Sequence, residues 1–288
     1  MALFLVFFGQ AAVAECAAYE ADYVPWSGWW WPFTQGGLVT GSDYRGRPSP
    51  LEKYDYVTCG RYGGPATKYG MSHYYDEDAV LWAGMCFSWA AASILEDEPV
   101  HAGIYDGTVF RVGDKKGLLT AACDGTLYNR YPFDKPEEFH RVLEDFIRNQ
   151  GAPIIMDLGI TGEIWNYPVF KYDMNYTESG NTRHYTVKIY YVDDHVQRDY
   201  VGARIHTETH YYYLKLEGGV VVDSGWEGGS KNYHPKNASE PFGTNCRNPG
   251  IDVGIVRNIA AAGDPYEGND SIEKAAALSS GHYSLLAI

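Results

Sequence analysis

The stretch Leu81-Trp-Ala-Gly-Met-Cys86-Phe-Ser-Trp89-Ala-Ala-Ala-Ser-Ile94 decides how the chain is read. A glycine two residues before Cys86 loosens the backbone, and a run of good helix formers follows. The thiol is therefore expected at or near a helix N-terminus, where unpaired N–H groups and the helix dipole favour a thiolate. The same N–H groups can hold an oxyanion during acyl transfer. Trp82 and Trp89 could wall a substrate groove. The plainer alternative is an inert core cysteine on an Ala-rich helix. The cysteine count favours the first reading. Cys16, Cys59, Cys86, Cys123 and Cys246 make five, and an odd number leaves at least one thiol unpaired within a monomer. Cys59, Cys123 and Cys246 lie in loop-like contexts that suit disulfides. No pair has CxxC spacing, which excludes zinc ribbons and thioredoxin motifs.

Working outward, the Ala-rich pattern around Cys86 predicts a helix over 76–98, ended by Pro99. Residues 15–75 are rich in Gly, Pro, Tyr and Trp and read as an irregular, aromatic-packed lead segment. Residues 110–114 suggest a strand, and Leu118-Leu119 a short helix. The clearest helix starts at Asp134-Lys-Pro-Glu-Glu138, with Asp134 as N-cap, and closes at Gly151. Phe139, Val142, Leu143, Phe146 and Ile147 fall on one helical stripe. The period then changes to two, and 153–158, 185–192, 211–216, 220–223 and 252–256 read as strands. Glu217-Gly-Gly219 is a hairpin signal. Helices first and then a mostly antiparallel sheet define an α+β fold. The tail from 261 to 288 is small and polar, with a short helix expected over 271–278.

Lys and Arg total 23 against 37 Asp and Glu, a net charge of −14. That balance argues against nucleic acid as a partner, because phosphate affinity comes mostly from clustered Lys and Arg. No apolar run reaches the roughly 18–20 residues of a membrane span. The N-terminus reads MALFLVFFGQAAVAEC. Its apolar run and the small-x-small pattern Ala12-Val13-Ala14 predict a signal peptide over 1–14, although a basic n-region is missing. Export makes the protein secreted or periplasmic and the compartment oxidising. The expected organisation is thus a leader (1–14), the lead segment (15–75), a catalytic domain (76–260) and the tail (261–288).

A cysteine nucleophile needs a base and a group to orient it. His140 is expected exposed in mid-helix, and His206 and His210, flanking a strand edge, as surface or cross-strand residues. His184 begins a strand, and His234 lies in a Gly-rich loop after two strands, the kind of place where catalytic residues concentrate. Chemistry alone does not separate these two.

Several ordered blocks resemble the transglutaminase elicitors, secreted enzymes of plant-pathogenic oomycetes with relatives in marine bacteria. Trp82 to Ile94 is similar to the family's Trp-x-Gly-x-Cys-x-Gly-Trp-Ala-x-Ala segment, with Ser88 at the family's second Gly. Phe110-Arg-Val-Gly-Asp-Lys-Lys-Gly-Leu-Leu-Thr120 resembles the segment that follows. Ile164-Trp-Asn-Tyr-Pro-Val169 resembles the peptide core that plants detect, with Tyr167 at its Gln. Trp165 in that block reads most simply as a buried indole in a structural turn. Tyr211 to Leu216, Trp226, Ser230 and His234-Pro235 resemble the C-terminal block, with Lys236 and Asn237 where the family tends to have Asp and an aromatic.

The resemblance implies a papain-like arrangement, with the nucleophile at a helix N-terminus packed on the sheet. It implies calcium-dependent protein-glutamine γ-glutamyltransfer, with glutamine- and lysine-bearing proteins as substrates. Cys86 falls on the nucleophile and His234 on the base. Asp252 follows His234 in the Cys–His–Asp order and is the expected acid, with Asp157 and Asp223 as rivals. Calcium is implied by resemblance alone. The acidic clusters Asp76-Glu-Asp78 and Asp193-Asp194 lack EF-hand spacing and read as solvated surface. The same dyad with water as acceptor would make a papain-like peptidase or amidase, and an inert scaffold would make a non-catalytic secreted surface protein.

Overall fold

The stripe from Phe139 to Ile147 seeds one of two cores. In the computed structural model, which describes residues 13–159 and 162–263, helix α6 (Pro136–Val142) runs into π-helical turns over Leu143–Asn149. All five stripe residues are buried. The N-cap is Lys135, one residue beyond the expected Asp134. The stripe packs with Ile154, Met156, Val169, Tyr172, Val187, Ile189 and Tyr212, which alternate along sheet strands.

Those strands are β5 (Ile154–Asp157), β6 (Asn166–Ser179), β7 (Thr182–Val192), β8 (Ile205–Glu217) and β9 (Val220–Trp226). They pair in sequence order, and each register given for them is antiparallel. Strand β1 (Val13–Glu20) pairs with β6, and β10 (Asn237–Gly243) pairs with β5. β4 (Leu127–Pro132) borders β10. The hairpin signal holds: Gly218 and Gly219 both take positive φ between β8 and β9, a region most L-residues avoid. The α+β class expected from the sequence is the class found.

The chain divides into two compact units. Of the described residues, the sheet unit comprises those within 13–24, 129–191 and 205–240. The helical unit comprises 25–128, 192–204 and 241–263. The stretch 76–260 expected to be catalytic contributes to both. Of the expected leader, residues 1–12 lie outside the described residues, while Val13 and Ala14 open β1. The helix expected over 271–278 also lies outside them.

The helical unit corrects three sequence expectations. The lead segment is not irregular: it holds α1 (Gly37–Thr40), α2 (Pro50–Cys59) and α3 (Pro65–His73). Helix α2 starts at a capping box in which Ser49 and Glu52 satisfy each other's backbone N–H. The helix expected over 76–98 shortens to α4 (Cys86–Leu95), because residues 76–85 form turns. Gly84 lies flush on Trp30, where a Cβ would come within 2.4 Å of the indole ring. The segment 252–256 is not a strand but the start of α7 (Val253–Ala261). A short hairpin, β2 (Gly103–Tyr105) with β3 (Thr108–Phe110), precedes α5 (Val112–Ala122).

Lys116, on α5, is 2% exposed. Its ammonium donates to Ser27 O at 2.8 Å, to Tyr200 O at 2.7 Å and to Glu98 Oε1 at 2.6 Å, and lies 4.8 Å from the Trp26 ring. All three donors of the side chain are thereby satisfied. Glu98 also accepts the Gly202 N–H at 2.7 Å. Lys116→Met should leave Glu98 with an uncompensated, largely buried charge. We expect a loss of about 3–5 kcal/mol in urea unfolding; an unchanged midpoint would contradict this role.

In the sheet unit, His210 is buried rather than at a surface edge. It lies among Phe139, Trp226 and Tyr233, with Glu208 Oε2 3.6 Å from Nε2. Neither ring nitrogen has a hydrogen-bond partner. Burial, and then the neighbouring His234, push its pKa down to about 4. The unfolded chain therefore binds a proton that the folded one refuses. Stability from this residue is complete above an ordinary pKa of about 6.5 and is lost as pH falls toward 4, by about 3 kcal/mol. His210→Phe should flatten the acid limb of a stability–pH curve over that window; an equally steep limb in the variant would contradict the assignment.

Candidate active site

Cys86 is the first residue of α4 and is buried. Its helix has no side-chain cap. Among the described residues, the N–H groups of Phe87 and Ser88 have no hydrogen-bond partner. Two amides at the positive end of a helix dipole are thus left for an anion. The Met85 N–H, just before the cysteine, donates to Trp30 O at 2.6 Å. Trp30 therefore fixes the entry to the helix through its carbonyl and, against Gly84, through its ring. Trp89 is not a groove wall as expected. It is fully buried and lies against Gly28.

The histidine that this unit sets against the same tryptophans is His195. Its ring centroid is 6.0 Å from that of Trp30 and 6.0 Å from that of Trp29. An antiparallel bridge pairs Trp29 with His195. Gly28 N–H donates to Asp193 O and Val196 N–H to Gly28 O, each at 3.4 Å. The loop is closed by the His195 N–H, which donates to Asp193 Oδ1 at 3.0 Å, and by the Asp193 N–H, which donates to Arg204 O at 3.0 Å. Trp29 is held in turn. Its Nε1–H donates to Asp43 Oδ2 at 3.1 Å, and the Arg198 guanidinium lies 3.8 Å over its ring while donating to the same Asp43 oxygen at 2.8 Å.

His195 Nδ1 lies 2.6 Å from Asp194 Oδ1. Asp194 is fully buried, and its Oδ2 has no other partner. The bond fixes a tautomer with a proton on Nδ1. Asp193, 3.6 Å from Nδ1, and Asp194 together raise the His195 pKa to about 9, against the opposing effect of burial. The imidazole is then cationic at neutral pH, the state that stabilises a neighbouring thiolate.

The sequence expectation of a solvated Asp193-Asp194 is overturned, since both are buried. With His195 they form the sole cluster of three or more metal-type ligands among the described residues, their ligand atoms within 4.8 Å of one another. The set does not fit calcium. It offers few oxygens where calcium takes about six to eight. Asp194 is bonded to the imidazole, and Asp193 is paired with the Arg204 guanidinium. In the other expected cluster, Asp76 Oδ1 accepts the Asp78 N–H and makes a turn.

The remaining residues expected at the site have other surroundings. His234 belongs to the sheet unit. It stacks on Trp226 at 4.3 Å, and its Nδ1 lies 3.0 Å from Pro235 O. Its rival His184 pairs with Glu227 at 3.0 Å in the same unit. Asp252 belongs to the helical unit as N-cap of α7, where its Oδ1 accepts the Ile255 N–H at 3.1 Å. Its backbone N–H donates to the Tyr54 hydroxyl, and no histidine is among its hydrogen-bond partners. Asp157 accepts the Gly159 and Trp165 N–H groups, and Asp223 accepts the Tyr213 hydroxyl. His140 is half-buried and bonded to Tyr212.

None of Cys59, Cys86, Cys123 and Cys246 is bridged, so the expected staples are not found among them. Burial pushes the thiols of Cys123 and Cys246 up to about 12, which keeps both protonated. Trp165 is only half-buried, beside Tyr167 at 6.5 Å, and the block after it opens β6 instead of a turn. Sequence reasoning passed over His195, although two acids and a histidine directly after a predicted strand were a usable signal.

Residues 66–131 match the model of the transglutaminase elicitor family, and over this segment the resemblance read from the sequence is borne out. The fold is that of a solved structure, the GP42 transglutaminase from Phytophthora sojae. The match has a TM-score of 0.71 at 18% identity and covers 84% of this chain and 90% of that one. No curated protein matches the chain. The expected papain-like α+β class stands on this match. Among the described residues no helix is long and apolar enough to cross a membrane.

Followed by nuclear magnetic resonance, the His195 ring should titrate with a midpoint of about 9. Asp194→Asn should lower that midpoint by about one to three units. A wild-type midpoint at the ordinary value would contradict the pairing.

Proposed function

We propose that the protein is a secreted protein-glutamine γ-glutamyltransferase, with Cys86 as nucleophile, His195 as acid and base, and Asp194 as the group that orients the ring. The reading is carried by one observation. A histidine bonded at 2.6 Å to a fully buried carboxylate packs on Trp30, whose carbonyl holds the residue before Cys86. The base and acid roles that the resemblance implied for His234 and Asp252 pass to this pair.

The Cys86 thiolate attacks the γ-carboxamide carbon of a glutamine side chain. The developing oxyanion is met by the uncapped amides of Phe87 and Ser88. Collapse breaks the C–N bond, and the His195 imidazolium gives its Nε2 proton to the leaving ammonia. A γ-glutamyl thioester remains on Cys86. A lysine amine then attacks it, His195 takes the amine proton, and the thiolate leaves. An isopeptide crosslink has formed, and the imidazolium–thiolate pair is restored. Throughout, Asp194 holds Nδ1–H and stabilises the charged ring. The cluster next to the base does not suit calcium, so no step is routed through a metal.

Cys86→Ala should abolish incorporation of a fluorescent amine into a glutamine-bearing protein while circular dichroism stays unchanged. His195→Gln should lower the rate by about 10²–10⁴-fold. Full incorporation by the Cys86 variant would sink the proposal, and proteolysis of the acceptor protein in place of incorporation would redirect it to a peptidase.

A further inference from the structure

A cavity of about 310 Å³ lies beside the start of α4. Gly84, Met85, Phe87 and Ser88 line it, so the residues on either side of Cys86 form one wall. Other walls are aromatic. The rings of Tyr69 and His73 stack at 3.8 Å and 2°. Tyr74 stands edge-on to Tyr69, at 5.7 Å and 68°. Faces and edges at right angles are the two contacts an incoming ring prefers.

The polar lining carries both signs of charge. Asp124 accepts the Tyr74 hydroxyl and the Arg247 N–H, each at 2.5 Å. The Arg247 guanidinium is exposed and has no ion-pair partner among the described residues, so it can cover the face of a ring. An acidic side chain entering this space would meet Asp124 as well as Arg247, and a basic one Arg247 as well as Asp124, so neither sign of charge is cleanly accommodated. An aliphatic one would forgo the ring contacts. A neutral aromatic side chain offends neither charge and uses every wall. The volume sits at the small end of the range of about 300–1,000 Å³ typical of ligand sites, room for one side chain and not for a folded segment.

We propose that this cavity is a specificity subsite that binds a neutral aromatic residue, Phe or Tyr, next to the reactive glutamine of the donor protein. The inference rests on the acyl-transfer reading above. Because Phe87 and Ser88 at the start of α4 line the cavity, a ring anchored here brings the neighbouring carboxamide to the nucleophile's helix. Anchoring by a remote side chain converts binding energy into orientation at the reacting centre.

The test has a binding arm and a turnover arm. In the first, Cys86→Ala protein is titrated with labelled peptides in which glutamine is flanked by Phe, Tyr, Ala, Glu or Lys. Phe and Tyr peptides should bind roughly tenfold tighter than the Ala peptide, and Glu and Lys peptides no tighter than Ala. Tyr69→Ala and, separately, Phe87→Ala in the same background should erase the difference. In the second arm, wild-type kcat/KM for amine incorporation should follow the same order, read as a ratio between peptides so that any loss of folded protein cancels. Equal binding of all peptides, a preference for a charged flank, or an aromatic preference that survives both wall variants would overturn the subsite. No incorporation from any peptide, with the aromatic binding preference intact and wall-dependent, would overturn the acyl-transfer reading and leave the aromatic site standing.

Discussion

One buried ammonium organises the helical unit. Lys116 reaches the carbonyl of Ser27, two residues before Trp29, the carbonyl of Tyr200, five residues after His195, and the carboxylate of Glu98, just beyond the end of α4. These are the three segments that make the candidate site. A buried lysine is costly unless its charge and all its donors are satisfied. The same requirement makes the tie specific: should any of the three segments shift, a charge or a donor is left unmet in a dry interior. The imidazole is therefore positioned by long-range bonds as well as by its own loop.

Around that tie, the chemistry follows from where charge is buried and where helix ends are left open. Asp194 has one partner, an imidazole proton, and Asp193 divides itself between that loop and Arg204. Two acids on one ring keep it cationic. On the same Trp30, whose carbonyl accepts the Met85 N–H, the start of α4 carries no side-chain cap. A cation to hold a thiolate and donors to hold an oxyanion are what acyl transfer asks of a protein, and the proposed roles of His195 and the α4 amides supply them. In the thiols of Cys123 and Cys246 burial dominates, over the opposing charge of Arg257 at Cys123, and both stay protonated.

The sequence was most legible where structure is local. The stripe from Phe139 to Ile147, the strands read at 153–158, 185–192, 211–216 and 220–223 and the Gly218-Gly219 hairpin follow from short-range periodicity, and all are present. It was least legible where distant segments decide. Residues 76–85 have a helical composition, yet Gly84 must lie flat on Trp30, and the chain turns there instead. Asp252 precedes a β-like Val-Gly-Ile-Val, yet its carboxylate caps a helix. His195 lacked any periodic pattern, and its partner Trp29 comes from the lead segment through a bridge that no local spacing encodes. Asp193 and Asp194 read as surface because acids usually are; here paired cations and an imidazole allow their burial. The capping box at Ser49 was readable and was overlooked amid the glycines and aromatics around it.

The account turns on which imidazole keeps the Cys86 sulfur ionised. The direct measurement is the ultraviolet absorbance of the thiolate, taken as the difference between wild type and Cys86→Ser across the pH range. We predict a thiolate signal at neutral pH that disappears in His195→Gln and persists in His234→Gln. A signal that survives loss of His195 and vanishes with loss of His234 would contradict the account.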